Sequence, residues 1–529
     1  MLGIDAFPAR ARAVERVRGM RIEHLWQLAV LALGFTVAVG ASGFGSDGWW
    51  SVKMGELSVL AGRPAVDALL AHAPANPQAA NQQWLGQVII YLLYTGLGEP
   101  GTRVVAGLLM CLTFGLLMIA ARVKGGSPRT AALGVLVATV LAGSSLTIRA
   151  QLLAYPLFAL TYVLLCLRRR QPSLLYLLPP LFALWANLHG SFALGLLLVA
   201  LHAAGDVFDA LVARRKIEGF VRATFVRWLP VLPAAFAASC LNPLGLGIYA
   251  YLRAVTTHPA IRNLVTEWQP TTIREPLGLA LVGSLVLLVV VMRTSRRRMA
   301  TSEMLLLPVF GYLALDALRS VVWWGMILAP ILAAHLATVS LPPWLAGRFS
   351  SPREGGGRAH WNLAMAILIL AQAGSSALWL PTLIDPMRTS RGASDRPSAA
   401  AVDLLARLPV GSRLYLAQPW TGYLAWRLWP TQQPMLDLRI EAHPAAVWDD
   451  YLAVQLAQPN WESILDRYRV DYLVLDPSYQ GRLVEAAAAS GRWAALHRDQ
   501  TAVVLGRQDS RALASAQRGA EHGPGPPSI

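Results

Sequence analysis

Charged residues are scarce in this sequence: only 14% of its 529 residues are Asp, Glu, Lys or Arg, while 55% are hydrophobic. A soluble domain has about a quarter of its residues charged, so too little polar surface is present to coat a water-soluble body of this size. A cytosolic enzyme and a disordered chain are both excluded. Acidic residues are scarcer still, 30 Asp+Glu against 46 Lys+Arg, giving a formal net charge of +16. Such a surplus points to nucleic acid only when it clusters on a soluble domain. Here it lies in short runs between apolar stretches, and no nucleic-acid partner is expected. Cysteine is nearly absent: Cys111, Cys166 and Cys240 all fall inside apolar stretches and cannot form a disulfide framework. Gly-rich phosphate loops, HExxH helices, Cys/His metal clusters and Ser nucleophile elbows are missing too, which removes support from hydrolases and nucleotide-driven pumps.

What is present is a series of apolar segments long enough to cross about 30 Å of hydrocarbon, which takes roughly 20 residues each. About eleven spans are expected on that criterion. They lie near 24–43, 101–121, 130–147, 152–167, 173–188, 191–207, 227–242, 276–292, 303–318, 321–339 and 361–384. The first follows Arg10, Arg12, Arg16, Arg18 and Arg21 and is too long for a typical signal peptide, so residues 1–23 read as a basic cytoplasmic N-terminus. Because Lys and Arg are retained inside, alternate loops test this orientation. Arg122, Lys124 and Arg129; Arg168 to Arg170; Arg214, Arg215 and Lys216; Arg293 and Arg296 to Arg298; and Arg348, Arg353 and Arg358 all fall on the cytoplasmic side if residues 83–97 do not cross. That stretch and Trp49 to Leu60 are then expected to lie along the outer surface as amphipathic helices within a first outer loop, 44–100.

From about residue 385 the texture changes to short alternating strands and helices. Arg413–Ala417, Met435–Leu438, Tyr472–Leu475 and Ala502–Leu505 read as strands; Gly422–Trp429, Ala446–Gln458, Trp461–Tyr468 and Arg482–Ala489 read as helices. The expected fold class is therefore mainly α: a polytopic helical membrane bundle, 24–384, with a small extracytoplasmic α/β domain, 385–507, and a disordered tail, 508–529. An odd number of spans leaves that domain outside.

Ionisable groups at a membrane edge are costly, so each is a site hypothesis by default. On the outer side stand Asp47, Lys53, Glu56, the Asn81-Gln82-Gln83-Trp84 run, Arg149, Asn187 with His189, Asn242, Glu267 with Trp268, and Arg319. Asp47 can serve as a base on a hydroxyl presented from the membrane surface, or can cap the helix that follows it. Trp49 and Trp50 read as interfacial anchors. Lys53 and Glu56 have the spacing of a surface pair. Arg149, on a short turn between spans, suits a phosphate gripped by two parallel hydrogen bonds, or a lipid head group. His189 and Arg319 occupy comparable turns, giving three cationic or potentially cationic groups at one level. Glu267-Trp-Gln-Pro270 reads as loop-ordering. The cytoplasmic side offers little beyond basic loops. A divalent metal stays open: Asp47 and Glu56 can offer oxygens, but no full ligand set is visible. A lipid-linked glycan transporter or flippase would need polar groups near the bilayer midplane and repeated halves, and neither is seen.

The layout resembles the GT-C superfamily of membrane glycosyltransferases, which includes the protein O-mannosyltransferases and the aminoarabinose transferases of lipid A; it looks closest to poorly characterised bacterial members. The resemblance rests on Asp47, Trp49, Trp50, Lys53, Gly55 and Glu56 after the first span, then Asn81 to Leu85, Arg149 to Gln151, Trp185 to Gly190, Asn242 to Gly245, Glu267 to Pro270 and Leu318 to Ser320. Gly422 to Arg427 and Asp437 to Arg439 extend it over nearly the whole chain. Two motifs depart, at three positions: a His-Glu pair is Gln82-Gln83 here, and the Pro of an Arg-Pro-Gln turn is Ala150. The resemblance implies a bacterial inner-membrane enzyme that takes a sugar from a polyprenyl-phosphate donor to a glycan, lipid or protein acceptor at the outer face. Asp47 would be the general base. Lys53, Arg149, His189 and Arg319 would bind the donor phosphate, and Glu56, Gln82, Gln83, Asn187, Glu267 and Trp268 would contact substrate or order loops. It also leaves a second possibility, a catalytically inactive GT-C-like assembly or glycan-binding component. Topology gives the first testable outcome: a reporter enzyme fused after Ile529 in full-length protein should be active only outside the cytoplasm, and cytoplasmic activity would overturn the assignment.

Overall fold

The computed structural model describes residues 21–66, 69–76, 80–212, 217–339, 359–390 and 396–508. The tail after 508, the four arginines from Arg10 to Arg18, Arg214 to Lys216, and Arg348, Arg353 and Arg358 lie outside the described residues. All eleven apolar segments are helical. Seven helices among the described residues are long and apolar enough to cross a membrane: Ile22–Ala41, Trp84–Val123, Ala150–Leu167, Phe192–Val212, Pro276–Thr294, Leu318–Leu336 and His360–Pro381. Pro128–Ala142 and Pro172–Leu188 are shorter apolar helices, and Ile217–Ser239 and Thr301–Asp316 account for the other two segments. Burial grades from the inside outwards: 83% of the apolar window of Leu318–Leu336 is enclosed by protein against 17% of His360–Pro381. The first is the centre of an integral membrane bundle and the second its lipid-facing rim.

Trp84–Val123 has 40 residues, or about 60 Å at 1.5 Å per residue, twice the hydrocarbon thickness, so it cannot cross as one straight rod. It breaks at Gly98 (φ 66, ψ −176), with Pro100 just beyond. Only glycine adopts that backbone readily. The break separates the 83–97 stretch from the 101–121 span, as the sequence pattern suggests.

The Gly45–Ala61 helix departs from expectation. It does not lie on the surface as an amphipathic helix, because Trp49, Trp50, Val52, Lys53, Met54 and Gly55 are all buried. It is wedged between the Trp84–Val123 helix and the Thr421–Leu428 helix of the C-terminal domain. Trp49 and Trp50 are therefore packing residues and not interfacial anchors. Trp49 stacks on Phe44 (4.7 Å) and Trp426 (4.5 Å) and meets Tyr94 and Tyr423 edge-on. Trp50 lies beneath the Arg439 guanidinium at 5.3 Å. The C-terminal domain covers the helix that was expected to lie along the outer surface.

That domain holds a five-stranded sheet in the order β2-β1-β3-β5-β4, formed by β1 Ser412–Leu416, β2 Gln432–Pro434, β3 Tyr472–Leu475, β4 Trp493–Arg498 and β5 Val503–Arg507. β1 pairs in parallel with β2 and β3, while β5 runs antiparallel to β3 and β4. All four residues of β3 are buried, as a central strand requires. Two expectations need correction. β2 precedes the expected Met435–Leu438, because the carbonyls of Pro434 and Met435 accept from His72 and Ala73 of the first loop, so the chain there joins domain to loop. β4 was not expected: the helix read at Arg482–Ala489 does end at Gly491 (φ 67), and the Trp493–Arg498 stretch beyond it, given no element from the sequence, is a strand.

Asp437 and Arg439 are the buried ion pair that ties these parts together. Asp437 Oδ1 lies 3.1 Å from Arg439 Nε, and Oδ2 accepts from the Leu70 amide at 2.9 Å. Breaking a buried pair leaves a charge uncompensated, at a cost of about 3–5 kcal/mol. Arg439→Ala should therefore lower thermal stability in detergent and open the 63–81 loop to limited proteolysis. Unchanged melting and cleavage would show that the pair does not hold the loop.

Candidate active site

Four charged side chains from four separate elements meet at one end of the bundle. Asp47 stands in the first turn of Gly45–Ala61, whose N-cap is Phe44, so its carboxylate is not the cap. Arg149 is the extended residue that opens Ala150–Leu167. Glu267 lies on the short turn Thr266–Trp268, and Arg319 on the turn Leu318–Ser320. Arg149 Nη1 reaches Glu267 Oε2 at 2.8 Å and Asp47 Oδ2 at 3.5 Å. Arg319 Nη1 is 3.6 Å from Glu267 Oε1, and its guanidinium lies over Trp268 at 4.3 Å.

Close backbone approach makes this meeting possible. At Gly48 a Cβ would stand 2.6 Å from the Ile148 carbonyl, so any side chain there would push the Asp47 helix off the loop that carries Arg149. On the other flank a Cβ at Gly422 would fall 1.9 Å from the Ser46 carbonyl, and the Gly422 amide donates to Ser46 Oγ at 3.1 Å. The C-terminal domain thus clamps the residue beside Asp47.

Two carboxylates and two guanidiniums leave the cluster formally neutral, and the surroundings divide the carboxylates. Surrounding protein raises the Asp47 pKa, with Arg149 pulling it back and Glu267 adding to the rise. Its side chain is 56% exposed, so water screens it and the push is weaker than full enclosure would give. Glu267 goes the other way: burial alone would raise it, but Arg149 and Arg319 hold it down to about 2. One carboxylate is a fixed anion and the other can take up a proton.

His189, read as a potentially cationic group, accepts a hydrogen bond on one ring nitrogen. Its Nδ1 accepts from the Ser191 backbone amide at 3.1 Å, which puts the remaining ring proton on Nε2. Burial, with Arg319 and Arg149 nearby, holds its pKa well below the ordinary value. Lys53 is not brought to the cluster; it pairs with Glu56 at 2.8 Å on another face of the same helix. Glu56 and Asp47 project from opposite sides of that helix and cannot share an ion. Among the described residues no three His, Cys, Asp or Glu groups stand together as metal ligands.

The polar residues of the first loop are braces. Asn81 and Gln87 exchange a reciprocal amide pair at 2.6 and 2.8 Å. Gln82 donates to the Ala186 carbonyl at 2.6 Å, and Gln83 precedes the first turn of Trp84–Val123. Trp84 donates to Asn187, which in turn holds the carbonyls of Ala183 and Leu241. Glu267 and Trp268, read as ordering the loop or contacting substrate, stand inside the cluster. Gln151, named in the sequence only as the end of the Arg149–Gln151 turn and given no role, joins the site: its Oε1 accepts from Arg319 Nη2 at 3.2 Å and its amide donates to Tyr155 at 3.0 Å. Its place two residues after Arg149 was the available signal. The opposite end is also not merely basic: Glu303 meets Lys124 at 2.8 Å, and Asp206 meets Arg168 and Arg169 at 2.8 Å each.

No family model and no curated protein sequence matches the chain. Solved structures do resemble it. ArnT from Cupriavidus metallidurans in the apo state is 15% identical, with a TM-score of 0.50 over 91% of this chain and 97% of that one. The Archaeoglobus fulgidus oligosaccharyltransferase is 11% identical, with 0.49 over 88% and 71%. Arabinofuranosyltransferase AftD from Mycobacteria is 15% identical, with 0.47 over 92% of this chain and 40% of that one. The near-complete mutual coverage with ArnT carries the conclusion: the chain has a GT-C-like fold.

Proposed function

We propose that this chain is an integral membrane glycosyltransferase of the bacterial inner membrane. It would move a sugar from a polyprenyl-phosphate donor to a hydroxyl or amine acceptor on the extracytoplasmic side. The observation that carries this reading is the convergence of Asp47 with Arg149 and Arg319, a proton acceptor beside two guanidiniums, at one end of an apolar bundle. A base and a cationic grip within one site are what sugar transfer from a lipid phosphate requires.

In the proposed reaction Asp47 takes the proton of the acceptor as its oxygen or nitrogen attacks the anomeric carbon. The bond from that carbon to the phosphate oxygen breaks, its electron pair leaves with the lipid phosphate, and configuration inverts. Arg149 and Arg319 meet the negative charge that grows on the phosphate, which is where fixed cations lower a barrier most. A phosphate is a good leaving group, so no separate acid is needed. The raised pKa of Asp47 makes it a better base than an ordinary aspartate. Gln82 enters as a brace on the Ala186 carbonyl.

Purified full-length protein should transfer label from a polyprenyl-phosphate sugar to an acceptor mixture, and Asp47→Asn should lower the rate about 10²–10⁴-fold. Turnover unaffected by that change would remove Asp47 as the base. Wild-type protein that binds the donor without transfer would favour the assembly or glycan-binding reading. The pH profile gives a separate outcome. Activity should fall on the acid side as Asp47 is protonated, through an ionisation above the ordinary aspartate value of about 3.9. In Arg149→Gln the limb should move to higher pH, because the cation that lowers this pKa is gone. An unmoved limb would detach the profile from Asp47.

A further inference from the structure

Glu267 has no part in that reaction, yet it stands where a phosphate would have to bind. Its two carboxylate oxygens are divided between the arginines, Oε2 on Arg149 at 2.8 Å and Oε1 on Arg319 at 3.6 Å. Two oxygens of a phosphate would bridge the guanidiniums in the same way. The arrangement leaves Arg149 only partly used: both of its carboxylate contacts go through Nη1, and Nε is buried without a partner. The carboxylate is carried on a three-residue turn and remains 30% exposed, so it can move aside without dismantling a helix.

Resting on the reading above, we propose that Glu267 is a built-in counter-ion that holds the phosphate position and exchanges with the lipid phosphate at each turnover. It thereby sets how tightly the site binds phosphate and drives the product out.

Charge balance supports an exchange over simultaneous occupancy. With Glu267 displaced, Arg149 and Arg319 carry two positive charges and Asp47 one negative, so a donor phosphodiester with its single negative charge completes neutrality. After transfer Asp47 holds the acceptor proton and is neutral, while the product monoester carries up to two negative charges, its second pKa being about 6. The site is again balanced. Loss of the Asp47 proton to water and return of Glu267 then add two negative charges against the product, which favours its release. Were Glu267 to stay between the arginines, either phosphate would be bound against an uncompensated anion.

The test is equilibrium binding of undecaprenyl phosphate to full-length protein in lipid nanodiscs, with inorganic phosphate as competitor, for wild type, Glu267→Gln, Glu267→Asp and Arg149→Gln. Glu267→Gln keeps shape and hydrogen-bonding capacity while removing the charge, and should bind undecaprenyl phosphate about tenfold tighter or more. Inorganic phosphate should also compete better with it, as expected if the head group rather than the lipid chain is what Glu267 opposes. Glu267→Asp, too short to bridge both arginines, should tighten binding by less, and keeps the test available if the Gln variant does not fold. Product inhibition by undecaprenyl phosphate should strengthen in parallel. Unchanged or weaker binding in both folded Glu267 variants, with Arg149→Gln weaker than wild type, would overturn the counter-ion role alone and leave Glu267 as a residue that positions the arginines. If Arg149→Gln binds as wild type does, or nothing binds undecaprenyl phosphate, the proposed function of the site falls as well.

Discussion

Arg149 is the group on which this end of the molecule depends. A guanidinium that is only 11% exposed has to be matched by anions, and it cannot shed its charge as a lysine could. It draws Asp47 from the helix after the first span and Glu267 from a loop more than a hundred residues further on. Glu267 in turn draws Arg319. Each element reaches this point by close backbone packing, with Gly48 against the Ile148 carbonyl and Gly422 against that of Ser46.

The ionic groups collect at the two ends of the bundle, and this follows from the solvent. Asp47, Arg149, Glu267 and Arg319 hold one end; Lys124 with Glu303 and Arg168 with Asp206 hold the other. Between them runs a core of apolar and aromatic side chains such as Tyr155, Phe158, Trp185 and Trp324. A charge in the hydrocarbon middle would have to be compensated there, whereas at the ends water shares the task. The C-terminal domain adds a lid of protein at the Asp47 end. Its Thr421–Leu428 helix turns a surface helix into a buried one.

Much of this was legible along the chain. The apolar segments became helices because length and hydropathy decide a membrane span almost by themselves. Tyr472–Leu475, a bare apolar run, became the central strand it promised. Asp47, Arg149 and Arg319 stood out because charge at a span edge is costly. Legibility failed where a distant segment supplied the environment. Nothing near Trp49 says that Trp426 will stack on it, and nothing near Glu267 says that two arginines await it. His189 could be read only as potentially cationic, since nothing in its neighbourhood said that the Ser191 amide would donate to Nδ1. β4 was hidden because Trp493–Arg498 lacks the continuous apolar run of a central strand and is only partly buried.

The sequence by itself determined that this is a helical membrane protein with a small α/β appendage, and which charged residues stand at the ends of its spans. Those properties depend on local composition and on the uniform demand of the bilayer that backbone polar groups be satisfied within each segment. Tertiary structure alone decided the distant pairings: that Gln82 braces the Ala186 carbonyl, and that Glu267 bridges Arg149 and Arg319. The physical reason is that charge compensation acts over a few ångströms in space and takes no account of separation along the chain.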